Sequence, residues 1–263
     1  MKTVLTIAGS DCSGGAGIQA DLKTIAAHKL YGMSAITALT AQNTTGVFDV
    51  LAVPENFMRE QLNCIFSDIR PDAIKIGMIP NKELLLCIAE VLKEQQVEHV
   101  VVDPVMASTS GRKLSGEESG EFFRELFLQA SFITPNLPEA ERLSGKMIRN
   151  REEMEQAAKH LAEKYQAAVL LKGGHFEEGA DDYLYDGKKG YWFLGEHIAS
   201  SNTHGTGCTL SSAIACYLAE GMRMDDAVRN AKHYLTGAIA AGLDLGKGNG
   251  PLDHMYVIKK QKI

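Results

Sequence analysis

The sequence predicts an α/β protein built on a mostly parallel sheet covered by helices on both faces. Three observations carry that reading. Short apolar runs alternate with longer stretches of helical spacing along the whole chain, and strands joined by helical crossovers end up parallel and sandwiched. Runs such as Val100-Val-Val are continuously apolar, as strands buried on both faces are. No Pro/Ser-rich linker, charge block or internal repeat divides the chain, so residues 1–263 read as a single domain.

Val4–Ala8 reads as a short buried strand, followed by a Gly-rich turn and a helix from Ile18 to Lys29. Ala35–Ala41 is a second strand, ending at Gln42-Asn43-Thr44. Glu55–Ile65 has helical spacing, with Phe57, Leu62 and Ile65 apolar. Ala73–Ile76 is a strand, and Lys82–Lys93 a helix. Val100-Val-Val-Asp103-Pro104 is a strand ending on an acid. Glu117–Leu128 is helical, Phe132-Ile133-Thr134 is a strand and Pro138–Leu143 a short helix. Met154, Ala157, Ala158 and Leu161 recur at helical spacing. Ala168–Leu171 is a strand running into Lys172-Gly173-Gly174. Tyr183–Tyr185 and Tyr191–Phe193 flank Asp186-Gly187, a hairpin signal. Helices over Thr209–Glu220 and Asp225–Leu243 close the pattern.

Composition narrows the function classes. Hydrophobic residues make up 45% of the chain, enough for a substantial core, and the net charge of −6 leaves no basic footprint for nucleic acid. No run approaches the ~18 apolar residues that span a membrane. The N-terminal Val4–Ala8 run is too short for a signal peptide. Five scattered cysteines form no C-x-x-C pair, so neither a zinc site nor a disulfide framework is indicated. The balance fits a cytoplasmic enzyme. The sequence does not set the oligomeric state, and a homo-oligomer is compatible with it.

In sheets of this type, ligands bind beyond the carboxyl ends of the strands. That rule selects Gly9-Ser10-Asp11, Gln42-Asn43, Gly77-Met78, Asp103, Asn136 and Lys172. The richest segment is Asn202-Thr-His-Gly-Thr-Gly-Cys208-Thr-Leu-Ser-Ser212, a glycine-rich turn running into an apolar helix. A helix start offers unpaired N–H groups and a positive dipole end, so the turn reads as an anion cradle. The same field is expected to lower the pKa of Cys208; the alternative is a cysteine that merely packs in the core. Asp103 either holds Mg²⁺ or caps the next turn. Glu139 either belongs to a capping box begun by Asn136 or is a second carboxylate for the metal. Lys172 either meets a phosphate or is a solvated strand-end lysine. Gly15-Ala-Gly17-Ile-Gln-Ala20 matches a dinucleotide fingerprint only weakly, because it lies well past its strand and no acid follows the next one. There is no G-x-x-x-x-G-K-[ST] phosphate loop. Taken together, an acid, a helix-start carboxylate, a lysine and an anion cradle are the set that phosphoryl transfer needs.

Thr6-Ile-Ala-Gly9-Ser-Asp11, Ser13-Gly-Gly-Ala-Gly-Ile-Gln-Ala-Asp21, Ile36-Thr-Ala-Leu-Thr-Ala-Gln42-Asn43-Thr44, Lys75-Ile-Gly-Met78, Asp103-Pro-Val-Met106, Thr134-Pro-Asn-Leu-Pro-Glu139-Ala, Lys172-Gly-Gly-His175 and the Asn202–Ser212 segment occur in order. This collinear set resembles the hydroxymethylpyrimidine/phosphomethylpyrimidine kinases of thiamine biosynthesis, a branch of the ribokinase-like superfamily with pyridoxal kinase relatives. The resemblance implies a three-layer α/β/α sandwich. It also implies two successive ATP-dependent phosphorylations, of 4-amino-5-hydroxymethyl-2-methylpyrimidine and then of its monophosphate. It places Gln42, Asp21, Met78 and Gly9 at the pyrimidine, and Asp103 and Glu139 at Mg²⁺. Lys172, with Asn136 and Thr206, falls at ATP, and Gly205, Thr206 and Gly207 form the anion hole. Cys208 stands where most sugar kinases of the superfamily carry an aspartate base. Two departures stand out: Cys12 replaces a common proline, and Ser108, in the lid expected at Ala107–Gly111, stands where some pyridoxal-phosphorylating relatives have a cysteine. The competing readings are a pyridoxal kinase, a cysteine hydrolase using His204 or His175, and a vitamer-binding protein without activity.

Overall fold

In the computed structural model, which describes residues 1–106, 120–174, 180–195 and 198–259, nine strands form one sheet. They are β1 (Thr3–Asp11), β2 (Tyr31–Asn43), β3 (Gly46–Ala52), β4 (Ala73–Ile76), β5 (His99–Val102), β6 (Phe132–Ile133), β7 (Ala168–Leu171), β8 (Asp182–Tyr185) and β9 (Gly190–Phe193), in the order β3-β2-β1-β4-β5-β6-β7-β8-β9. Every pairing from β2 through β7 is parallel, and antiparallel strands flank that block: β3 on one edge, β8 and β9 on the other. The helices are α1 (Gly17–Ala27), α2 (Glu55–Asp68), α3 (Lys82–Gln95), α4 (Gly120–Phe127), α5 (Leu137–Ser144), α6 (Arg151–Tyr165), α7 (Thr206–Ala219), α8 (Met224–Ala240) and α9 (Tyr256–Lys259).

Strand periodicity divides the core into two layers. On β4 and β5, Ile74, Ile76, Val100 and Val102 face the cluster built with α2 to α6, while Ala73 and Val101 face the cluster built with α1, α7 and α8. Side chains on a strand alternate faces with a period of two, so each apolar strand feeds both layers. Helix α7 is buried nearly all round, as expected of a helix apolar on every side. Among the described residues no helix is long and apolar enough to cross a membrane.

The predicted strands and helices are found, with corrections at their ends. Strand β2 is longer than Ala35–Ala41, α7 begins at Thr206 rather than Thr209, and α8 ends at Ala240 rather than Leu243. Strand β3 was not predicted. Its sequence, Gly46-Val-Phe-Asp-Val-Leu-Ala52, lacks the alternation of a half-buried strand because it is an edge with little burial on either side; Phe48 and Leu51 are exposed. The expected helix at Glu117–Leu128 is found from Gly120. The rest of it, the lid at Ala107–Gly111 with Ser108, and His175 lie outside the described residues.

Candidate active site

A cavity of about 720 Å³ opens where the parallel strands end. Its floor is the start of α7. Gly205, in the left-handed region at φ 86°, turns the chain into the helix, and a Cβ there would lie 2.0 Å from the Gly15 carbonyl oxygen. Only glycine lets the two loops approach this closely. No side chain caps α7 and no acid sits in its first turn, so its positive end faces the cavity. Thr206 and Gly207 belong to that first turn, with Cys208 directly after them.

Asp103 leaves the end of β5 with its backbone N–H donating to the Ile76 carbonyl at 2.9 Å. Its Oδ1 accepts from Thr134 Oγ1 at 3.1 Å and pairs with Lys172 Nζ at 2.8 Å. A Cβ on Gly207 would stand 3.2 Å from Asp103 Oδ2 and 3.5 Å from Lys172 Nζ, which seats acid, cation and anion cradle together. Glu139 completes the cluster in a dual position. It forms the capping box of α5, with its Oε2 accepting from Asn136 N–H at 2.8 Å and the Asn136 side chain accepting from Glu139 N–H at 2.9 Å. It also lines the cavity. Burial pushes the Glu139 carboxyl well above its usual range; Lys172 opposes this and Asp103 adds to it. Lys172 stays charged, because its two carboxylate neighbours outweigh the desolvation that works against it.

The other side of the cavity is built from β1, β2 and the exit of β4. Gln42, Met78 and Gly9 all line the cavity, and a Cβ on Gly9 would lie 3.0 Å from Met78 Cε. The Gln42 Oε1 accepts from Thr40 Oγ1 at 2.9 Å, and its Nε2 lies 3.3 Å from His204 Nε2. His204 Nε2 also lies 2.9 Å from Asp11 Oδ2. A ring nitrogen that donates to a carboxylate has no lone pair for an amide N–H, so His204 offers the Gln42 amide no acceptor.

Asp11, a strand-exit residue, and His204, expected above only as a hydrolase's histidine, meet at the cavity wall. Asp11 accepts from the backbone of Ser13, Gly15 and Ala16. Burial works against its charge, but these bonds and His204 hold its pKa down to about 2. His204 in turn donates its backbone N–H to Gly250. The pair thus ties the first loop to the anion cradle. Their signal was a strand-exit acid and a histidine inside the glycine-rich turn.

Two expectations are corrected. Asp21 does not line the cavity; it is fully buried on α1, bound by Lys75 Nζ at 2.8 Å and by the hydroxyls of Thr6 and Ser212 at 2.5 and 2.8 Å. A carboxylate with so many donors is a buried anchor joining β1, β4, α1 and α7. The Cys208 thiol is raised, not lowered. Burial is the main cause; Lys75 pulls it down, Asp21 and Asp103 push it up, and the Gly17 N–H pulls it down.

Comparison with known proteins settles the family. The profile of the phosphomethylpyrimidine kinase family matches residues 11–253. The chain belongs to that family. It is 48% identical over 255 residues to the thiamine biosynthesis bifunctional protein ThiED of Geobacter sulfurreducens, covering 96% of this chain and 52% of that protein. The chain therefore spans about half the length of this and similar bifunctional relatives. A crystal structure of phosphomethylpyrimidine kinase from Clostridium difficile superposes with a TM-score of 0.83 at 44% identity, covering 91% of this chain and 100% of that one. Pyridoxal kinase from Staphylococcus aureus in complex with AMP-PCP and pyridoxal gives 0.87 at 37% identity, covering 97% and 94%. The α/β/α sandwich is the ribokinase-like fold that the family resemblance implied.

Proposed function

We propose that this phosphomethylpyrimidine kinase family member transfers the γ-phosphoryl of ATP to 4-amino-5-hydroxymethyl-2-methylpyrimidine and then to the resulting monophosphate. The reading takes residues 1–263 as one kinase domain acting in the cytoplasm. The observation that carries it is one cavity with a flat-ring pocket at Gln42 and Met78, and a cluster of Lys172, Asp103 and the α7 start at the other end. Gln42 donates its amide N–H groups to the aminopyrimidine edge, with Met78 and Gly9 against the ring. The backbone of Gly205, Thr206 and Gly207 receives the charge that develops on the transferring phosphoryl. Lys172 meets the ATP phosphates, with Asn136 and Thr206 beside it.

The residues present fit Mg²⁺. Among the described residues no cluster of three or more metal-ligating side chains occurs. Mg²⁺ keeps several waters and binds through one or two carboxylates together with substrate phosphates, and Asp103 and Glu139 supply those. When bound, it neutralises phosphate charge. The raised Glu139 carboxyl gains ionised character beside a cation. The thiolate form of Cys208 takes the proton of the acceptor hydroxyl in the first step and becomes the thiol; the second acceptor is a phosphate oxygen with no proton to lose.

Pyridoxal phosphorylation is a second reading, favoured by the likeness to the pyridoxal-bound Staphylococcus aureus kinase. Purified protein with ATP, Mg²⁺ and each of three acceptors (the pyrimidine alcohol, its monophosphate, pyridoxal) tests both. Turnover of both pyrimidines supports the main reading, and turnover of pyridoxal alone replaces it. Lys172→Ala should abolish most turnover with any acceptor.

A further inference from the structure

The cavity contains a second buried lysine that the reaction leaves without a role. Lys232, on the middle turns of α8, has a side chain only 15% exposed. Its ammonium donates to Asp182 Oδ2 at 2.7 Å, to the Ala180 carbonyl at 2.6 Å and to the Phe193 carbonyl at 3.1 Å. An ammonium has three N–H donors, so these acceptors use all of them. Lys172 differs: among the described residues its ammonium has one hydrogen-bond partner, Asp103. Lys172 can therefore meet a phosphate, and Lys232 cannot do so without giving up a bond.

The three acceptors lie on two segments of chain, Ala180 and Asp182 at the start of β8 and Phe193 at the end of β9. The other oxygen of Asp182 accepts from the Gly173 N–H at 2.9 Å, which binds the exit of β7 to the start of β8. Asp181 Oδ1 accepts from the Gly195 N–H at 2.9 Å, and Ala180 N–H donates to the Gly195 carbonyl at 3.1 Å, which binds the exit of β9 to the same place. The glycines are needed for this approach: a Cβ on Gly173 would stand 1.8 Å from the Asp181 carbonyl oxygen, and one on Gly195 would stand 2.9 Å from Lys232 Nζ. Gly174, Ala180, Asp182 and Gly195 line the cavity beside Leu235 and Ile239 of α8. This wall is joined to the segment of Lys172 through the Gly173 N–H, so it is the side of the cavity next to the residue that meets the ATP phosphates. That assignment rests on the proposed kinase reading.

We propose that Lys232 is a positioning residue that holds the nucleotide-side wall of the cavity in register, so that nucleotide affinity depends on it and acceptor affinity does not. Lys232 acts through Asp182 and two carbonyls and touches no reacting atom. Removing it alone would strand Asp182, whose carboxyl burial already pushes up and Lys232 pulls back.

The test uses the full chain carrying both Asp182→Asn and Lys232→Met, which removes the charge pair together and avoids an unpaired buried carboxylate. ADP affinity, measured by calorimetry without turnover, should fall roughly tenfold or more. The KM for ATP should rise in parallel, with the pyrimidine KM and kcat at saturating ATP unchanged. Lys232→Arg keeps the charge but cannot place three donors on the same three acceptors; it should show the same selective loss in weaker form. Unchanged ADP affinity in Lys232→Arg, or equal losses for nucleotide and pyrimidine in the double variant, would overturn the proposal. A wild-type protein that binds ADP but phosphorylates neither pyrimidine nor pyridoxal would sink the kinase reading instead, and leave the Lys232 comparison intact.

Discussion

Raising the pH should accelerate the first phosphorylation and leave the second almost unchanged. Burial holds the Cys208 thiol above its ordinary range, so at neutral pH the protonated form dominates. Each pH unit up to 9 multiplies the thiolate population about tenfold, equivalent to about 1.4 kcal/mol in the barrier. The hydroxymethyl acceptor of the first step must lose a proton, and its rate should follow that population. The phosphate acceptor of the second step has a second pKa of about 6 and is already ionised above neutrality. Cys208→Ala should lower the first step by roughly 10²–10⁴-fold, the range for a positioned base, and should flatten its pH profile. The second step keeps the backbone anion cradle and should lose far less. The assay starts each step from its own acceptor at saturating ATP and Mg²⁺, from about pH 6.5 to 9, the window below the thiol. Mono- and diphosphate are separated after quenching. A flat first-step profile in the native enzyme, or equal losses in both steps, would refute a base role for Cys208.

Gln42→Leu should raise the pyrimidine KM by roughly tenfold or more, about 1.4 kcal/mol of lost binding, with the ATP KM unchanged; an unaltered pyrimidine KM would take Gln42 out of the pocket. Lys75→Met should destabilise the protein by about 3–5 kcal/mol in urea denaturation, because it strands the Asp21 carboxylate, and Asp21→Asn added to it should recover much of that loss. His254 is held neutral by burial and by Lys23, with its pKa lowered from 6.5 to about 4. The unfolded chain therefore takes up a proton that the folded chain refuses. Stability present above pH 6.5 should be lost as the pH falls towards 4, by on the order of 3 kcal/mol. His254→Gln should show a shallower acid loss across that window, and an identical slope would contradict it.

The sheet was legible because its parallel strands are apolar on both faces, and residues such as Val100 to Val102 announce that without help from the rest of the chain. The edge strand β3 was not, because Phe48 and Leu51 point to solvent and carry no core periodicity. The start of α5 was legible down to its bonds: Asn136 and Glu139 form the capping box that their spacing indicates, and Glu139 lines the cavity as well. Here the structural and functional readings are not alternatives. Asp21 failed for the opposite reason. Its motif neighbours reach the cavity, but a helix carries successive side chains to different faces, and Asp21 lies on the buried one, where Lys75 from β4 meets it.

Cys208 shows why a local motif misjudged a local property. A helix start is worth typically 0.3–1 kcal/mol to a negative charge, rarely ~2, or about one pKa unit. At Cys208, half-buried on the cavity wall, burial outweighs that dipole contribution and raises the thiol. Burial is not visible in the segment Asn202–Ser212, since it depends on the loop at Gly15 closing over Gly205 and on α1 packing against α7. The same packing places a cation nearby: Lys75, beside the Asp21 that Ser212 also binds one turn beyond Cys208, is the largest influence drawing the thiol back down. The site therefore combines a proton-holding thiol with a fixed buried charge that stabilises its anion. Only the thiolate can take a proton from an alcohol, so the Lys75 charge that stabilises this anion is what a base role for Cys208 depends on.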